Sequence, residues 1–190
     1  MKILTGRLRG QTILFKPNPH LRPTSDKARK AVFDMLQGAL PEKRVLDLFS
    51  GTGALGLEAL SQDASHVTFV EQDAGQCKKI RENLQRLKLE DLAQVRQDEA
   101  LEWLERKAPS ERPFDLIFLD PPYAADMALK ALERISAARI VPQKGLVVLE
   151  CRKREDVPPR CGDLRAVREK RYGQTKLTVY AASPGSRGSL

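Results

Sequence analysis

The sequence predicts an α/β protein in which a mostly parallel, doubly wound sheet carries helices on both faces. Three observations predict it. Residues 114–119 form an apolar run, Phe114-Asp115-Leu116-Ile117-Phe118-Leu119, that stops at Asp120-Pro121-Pro122-Tyr123. Proline lacks an N–H and fixes φ, so a buried strand must end there. Residues 44–49 form a second such run, and it passes directly into Gly51-Thr52-Gly53-Ala54-Leu55-Gly56 and a helix. Open α/β sheets bind ligands at strand–glycine–helix turns of this kind. From 44 to 150 strands and helices alternate, the pattern of parallel strands joined by crossover helices.

Taken in order, Met1 to Thr5 and Gln11 to Phe15 read as two short strands around Gly6-Arg7-Leu8-Arg9-Gly10, where the glycines permit tight turning. Lys16 to Pro23 is excluded from a helix by its three prolines, which push the preceding residues to extended geometry; His20 falls on this loop. Thr24 or Ser25 caps a helix running to about Gln37, with Ala28, Val32, Phe33, Met35 and Leu36 at helical spacing. The strand from Arg44 to Phe49 is followed by a helix through about Ser61. His66 to Val70 is the third strand and ends at Glu71; Asp73 caps a helix to about Leu87 that buries Cys77. Ala93 to Arg96 is a short strand before a helix carrying Leu101, Trp103 and Leu104. A helix over 125–137, a strand over Leu146 to Glu150, and an antiparallel pair over 164–170 and 175–181 around Gly173 complete the sheet. Residues 182–190, rich in Ser and Gly, are expected to be disordered. The chain divides into a basic hairpin-and-helix extension (1–40), a main domain (41–181) and that tail.

A chain of 190 residues with 41% hydrophobic and 31% charged residues fits one soluble domain. No apolar run is long enough to span a membrane, and the first residues lack the core of a signal peptide. Three cysteines without a CxxC and two histidines give no metal-binding pattern. A reducing cytoplasm is the expected location. The net charge of +8 is concentrated: residues 1–30 hold eight Lys or Arg against Asp26 alone, and residues 151–171 hold eight against four acids. Basic ends around a near-neutral middle suit a polyanion, because phosphate contacts supply most sequence-independent nucleic-acid affinity.

The chemistry-bearing residues sit where the strands end. Asp120 and the Pro121 carbonyl are adjacent acceptors, which suits an exocyclic amino group with two protons to donate. Tyr123 offers a face for a stacked base. Gly51 to Gly56 is also a G-x-G-x-x-G, but Asp47 at the end of the preceding strand repels a pyrophosphate and favours a cationic ligand group. Glu71 lies 20 residues after Gly51, the separation at which an acid meets ribose hydroxyls. That geometry serves any adenosine ligand and does not choose between NAD and S-adenosylmethionine. Asp98 either accepts from an adenine amino group or caps the helix that follows.

In these features the chain resembles S-adenosylmethionine-dependent methyltransferases. In that class the segment matching Val45 to Gly56 cradles the cofactor, the acid matching Glu71 binds its ribose, and an Asp-Pro-Pro-aromatic turn marks methylation of amino nitrogens. The basic hairpin, then Leu21-Arg22-Pro23-Thr24-x-Asp26-x-x-Arg29-x-x-x-Phe33 and Leu46-Asp47-Leu48-Phe49-Ser50-Gly51-Thr52-Gly53-Ala54-Leu55-Gly56-Leu57-Glu58-Ala59, closely resemble the RsmD family. The resemblance implies a Rossmann-like class I methyltransferase fold with a mostly parallel seven-stranded sheet and an N-terminal hairpin/helix extension. It implies methylation of N2 of guanine 966 in bacterial 16S ribosomal RNA, with the small ribosomal subunit as partner and no metal or membrane. The site residues that follow are Asp120, Pro121, Pro122 and Tyr123 for catalysis, and Asp47, Phe49, Ser50, Gly51, Gly53, Gly56, Glu71 and Asp98 for the cofactor. Arg7, Arg9, Arg22, Thr24 and Arg29 are the expected RNA contacts, in a monomer. Adenine-N6 or protein-glutamine methylation is the nearest alternative, a non-catalytic RNA-binding module is another, and an NAD-dependent dehydrogenase is more distant.

Overall fold

A computed structural model describes residues 1–17, 25–36, 38–122 and 126–183. Strands β1 (Arg44–Leu48), β2 (His66–Glu71), β3 (Ala93–Gln97), β4 (Leu116–Leu119), β5 (Leu146–Arg152), β6 (Arg160–Cys161), β7 (Leu164–Tyr172) and β8 (Thr175–Ala182) form one sheet. Its order is β3-β2-β1-β4-β5-β8-β7-β6. The first five in that order run parallel, while β8 inserts antiparallel between β5 and β7. This is the class I methyltransferase arrangement with one additional edge strand. The expected seven strands become eight because β6, only two residues long, pairs with Leu164 and Arg165. Two residues are too few to show a period-2 pattern.

Neighbours explain which strands read as continuous apolar runs. β4 lies between β1 and β5, and all four of its residues are buried. A strand covered on both faces needs apolar side chains on both. Phe114 and Asp115 precede it, because the Asp115 carboxylate accepts from the Arg44 N–H at 2.9 Å and is drawn to the start of β1. Val45, Leu116, Phe118 and Val148 point into a core shared with helices α1 (Asp26–Met35), α2 (Ala54–Ser61) and α3 (Ala74–Leu87). Their neighbours Leu46, Ile117, Leu119, Val147 and Leu149 enter a second core with Trp103, Leu132 and Ile135 of helices α4 (Ala100–Arg106) and α5 (Met127–Ala138). Among the described residues no helix is long and apolar enough to cross a membrane.

The N-terminal segment pairs as a hairpin through a single bridge, Lys2 with Thr12, reinforced by Ile3 N–H to the Gln11 carbonyl and Ile13 N–H to the Met1 carbonyl, both 2.9 Å. It lies along α2. The Arg7 N–H donates to the Ser61 carbonyl at 2.8 Å, and a Cβ on Gly6 would stand 2.0 Å from that oxygen, at a φ of +73°. Gly6→Ala therefore meets both a clash with backbone and a strained φ. We expect it to cost about 1–3 kcal/mol, read as a lowered thermal midpoint.

Arg29 corrects one expectation. It is fully buried, with Nη2 donating to the Lys2 carbonyl and to Asp26, each at 2.8 Å, and Nε 3.5 Å from the Glu58 carboxylate. It ties α1 to the hairpin and to α2 and does not present a charge to RNA. Helix capping is local: the Ser25 hydroxyl accepts from the Ala28 N–H, and the Asp73 carboxylate from the Gln76 N–H. Glu99 caps α4 by accepting from the Glu102 N–H, which removes the capping role considered for Asp98.

Candidate active site

The order of strands reverses between β1 and β4, and a crevice opens at their carboxyl ends, as expected where two halves of an α/β sheet diverge. A cavity of about 1540 Å3 occupies it. Each of the five parallel strands delivers an acid to this space: Asp47 from β1, Glu71 from β2, Asp98 just after β3, Asp120 just after β4 and Glu150 from β5. In a chain carrying +8 overall, these five and Asp73 and Glu99 put seven acidic residues around one cavity, which favours a cationic ligand group.

Asp47 is 2% exposed, and its Oδ2 accepts from the Gly56 N–H at 2.9 Å. Burial, opposed by that hydrogen bond and reinforced by Asp120 and Glu71, raises its pKa well above the usual carboxylate range. The Ser50 hydroxyl donates to the Asp47 carbonyl at 2.6 Å and lies 3.1 Å from the Val70 carbonyl, tying the turn that follows β1 to the end of β2. Phe49 holds a φ of +62°, uncommon for an aromatic residue and a place where strain is stored beside the site. Glu71 accepts from the Gly51 N–H through one oxygen and from the Asp73 N–H through the other, both at 2.8 Å. Each oxygen keeps a second lone pair for a ligand.

Among the predicted residues, Asp47, Phe49, Ser50, Gly51, Glu71, Asp98, Asp120, Pro121 and Pro122 line the cavity together. Gly53 and Gly56 do not: a Cβ on Gly53 would lie 2.9 Å from Ile80, and one on Gly56 2.2 Å from Phe69. These two glycines seat α2 against the sheet and α3, behind the loop. Asp98 pairs with Lys107 at 2.8 Å while facing the cavity. Tyr123, Arg22 and Thr24 lie outside the described residues.

The RNA candidates on the hairpin stand apart from this cavity. Arg7 pairs with Asp63 at 3.2 Å, and the turn that carries Arg7 and Arg9 packs on Ser61, the carboxyl end of α2, whereas the cavity lies at its amino end. An eight-residue helix separates the two by about 12 Å. Three exposed basic residues of the 151–171 cluster, Arg152, Lys153 and Arg154, not named among the expected RNA contacts, line the cavity itself. Glu150 was missed too, although its signature, an acid closing an apolar strand, is the same as that of Asp120.

Comparison with known proteins agrees with this architecture. A family model described as conserved hypothetical protein 95 matches residues 1–181. A Haemophilus influenzae protein named ribosomal RNA small subunit methyltransferase D is 34% identical over 155 residues, covering 80% of this chain and 79% of that one. The protein of the same name from Escherichia coli K12 is 29% identical over 180 residues, covering 95% and 89%. A solved structure of a hypothetical protein from Thermus thermophilus superimposes with a TM-score of 0.80 at 31% identity, covering 96% and 99%.

Proposed function

Since the chain belongs to the family described as conserved hypothetical protein 95, we propose that it methylates the exocyclic N2 of one guanine in 16S ribosomal RNA. Guanine 966, within the small subunit, is the target that the resemblance implies. S-adenosylmethionine is the cofactor, and the donor set fits it: a ligand with a sulfonium and an ammonium group suits a cavity lined by acidic side chains. Asp47, Ser50, Gly51, Glu71 and Asp98 are the residues that would hold it. When bound, it supplies an electrophilic methyl carbon. The observation that carries the proposal is the sign change across the cavity, acids from the ends of its strands within and the exposed Arg152-Lys153-Arg154 at its margin. A cationic donor and a polyanionic acceptor are each met by the opposite charge.

The chain's own contribution is placement and charge. The guanine amino lone pair is delocalised into the ring, so the nitrogen is a poor nucleophile. Asp120 and the Pro121 carbonyl accept its N–H groups, orient it, and stabilise the positive charge that develops on it. The base must leave its RNA stack to reach them. On this reading the exposed residues 152–154 are the main RNA contact, and the 1–40 extension is a secondary one through the exposed hairpin residue Arg9.

Transfer of labelled methyl to unmethylated small subunits, protein-free 16S RNA and duplex DNA, run in parallel, tests the proposal. Label on guanine N2 at one RNA position is the expected result; label confined to DNA adenine overturns it. The geometry also ranks the basic residues. Reversing Lys153 and Arg154 to Glu is expected to weaken RNA binding and lower the salt slope by about 2, against about 1 or less for Arg9→Glu. An equal or larger effect at Arg9 would place the interface on the hairpin tip.

A further inference from the structure

Glu150 is buried at 5% exposure, yet it lines the cavity, and its Oε2 has no hydrogen-bond partner. A buried acceptor left unmet is costly, and nothing in the packing requires an acid here, since Leu177 of β8 lies opposite it. Its register explains its position. Leu119 of β4 pairs with Leu149 of β5, so Asp120 and Glu150 are the next residues of two adjacent parallel strands and emerge on the same face. Neighbouring strands are about 4.8 Å apart, close to the span between the amino group and the carbonyl along one edge of a guanine ring.

Resting on the function proposed above, we propose that Glu150 is a second base-reading group: its carboxylic acid O–H donates to the guanine O6 while Asp120 and the Pro121 carbonyl accept from the amino group. The surroundings keep Glu150 in the form that can donate. Burial first, then the negative charge of Asp120, pushes its pKa up to about 8. The other charged groups of the cavity nearest to it in the fold are Asp47 of β1 and Arg152 at the end of β5; Lys176 of β8 pairs with Cys151 and so stands on the other face of the sheet, its ammonium held by the Glu155 carbonyl. An ionised Glu150 would repel O6, so the site would recognise a purine bearing a ring carbonyl and lose it as pH rises.

The test compares Glu150→Gln with Glu150→Ala, using unmethylated small subunits and S-adenosylmethionine across pH 6 to 9. Glutamine keeps a neutral donor at the same place. Alanine is expected to lower kcat/KM about 10- to 100-fold. Glutamine should recover most of that loss and lack the fall in kcat/KM that the wild type shows as pH passes about 8. Glutamine as weak as alanine overturns the inference, because it would mean that a carboxylate, as a base, is what the site needs. Thermal melts give a second readout independent of RNA. The folded protein holds the Glu150 proton up to higher pH than the unfolded chain, so wild-type stability should fall relative to Glu150→Gln as pH rises from about 4.5 through about 8. Parallel pH profiles would also sink the inference. A wild type that puts no methyl on guanine N2 removes the functional reading itself, an outcome distinct from an active wild type with a dead Glu150→Gln.

Discussion

Replacing Asp120 with Ala is expected to lower kcat by about 10²–10³ or more, the scale of removing one preorganised group aimed at developing charge. Cofactor affinity should stay within a few-fold of wild type. The separation follows from position: Asp120 stands just past β4, beside Pro121, whereas the groups assigned to the cofactor come from β1, β2 and β3. Asp120→Asn keeps one acceptor oxygen but loses the charge, and should fall between Ala and wild type. A secondary effect identifies the mechanism. Asp120 helps to hold both Asp47 and Glu150 above the usual carboxylate range, so either neutral variant should let those two groups ionise at lower pH. Carboxyl NMR titration and isothermal binding of the cofactor check the two claims. Loss of cofactor binding together with transfer would make Asp120 structural rather than a group that meets the acceptor base.

What the sequence made legible, and what it did not, follows from the range of the interactions. Strands β1, β2, β4 and β5 were readable because parallel strands covered on both faces require near-continuous apolar runs, and glycine and proline punctuated them. Asp47, Glu71 and Asp120 were readable for the same reason: an acid that interrupts such a run must lie where the strand leaves the core. Glu150 carried the same signal, without a proline pair or glycine loop to draw attention to it. Arg29 failed for a different reason. It sits among basic residues in sequence, and only tertiary contact with Glu58, 29 residues further along the chain, shows that its charge is buried. The basic residues of 152–154 were visible as composition, but their place at the cavity depends on β8 inserting beside β5. That long-range pairing brings Gln174 and Thr175 to the same cavity.

Replacing Glu58 with Ala is expected to have the largest effect on stability, about 3–5 kcal/mol, because it removes the buried partner of a buried charge together with the acceptor of two backbone N–H groups. Glu58 and Arg29 are both fully buried. The Glu58 carboxylate accepts from the Leu4 N–H at 2.6 Å, the Thr5 N–H at 3.1 Å and the Thr5 hydroxyl at 2.8 Å, and lies 3.5 Å from Arg29 Nε. Alanine leaves the Leu4 and Thr5 N–H groups without their acceptor in a buried space and leaves the Arg29 guanidinium with only the exposed Asp26 carboxylate and the Lys2 carbonyl. For a protein of this size each kcal/mol moves the midpoint by roughly 2–4 °C, so a fall on the order of 10 °C is expected. Glu58→Gln keeps one carbonyl acceptor for the hairpin and should lose less. The double variant Glu58→Leu with Arg29→Met removes both charges and should recover the part of the loss that comes from the unpaired charge, while the Leu4 and Thr5 N–H groups still lack their acceptor. Strictly additive losses would show that the two side chains act independently. The coupling also reaches the site. Helix α2, which carries Glu58, begins at the glycine loop and holds Asp47 through the Gly56 N–H, so the hairpin is fastened to the same helix that shapes the cofactor cavity. A destabilised Glu58 variant assayed well below its midpoint should therefore bind the cofactor more weakly than the Gly6→Ala variant at matched stability, because Gly6 touches only the far end of that helix.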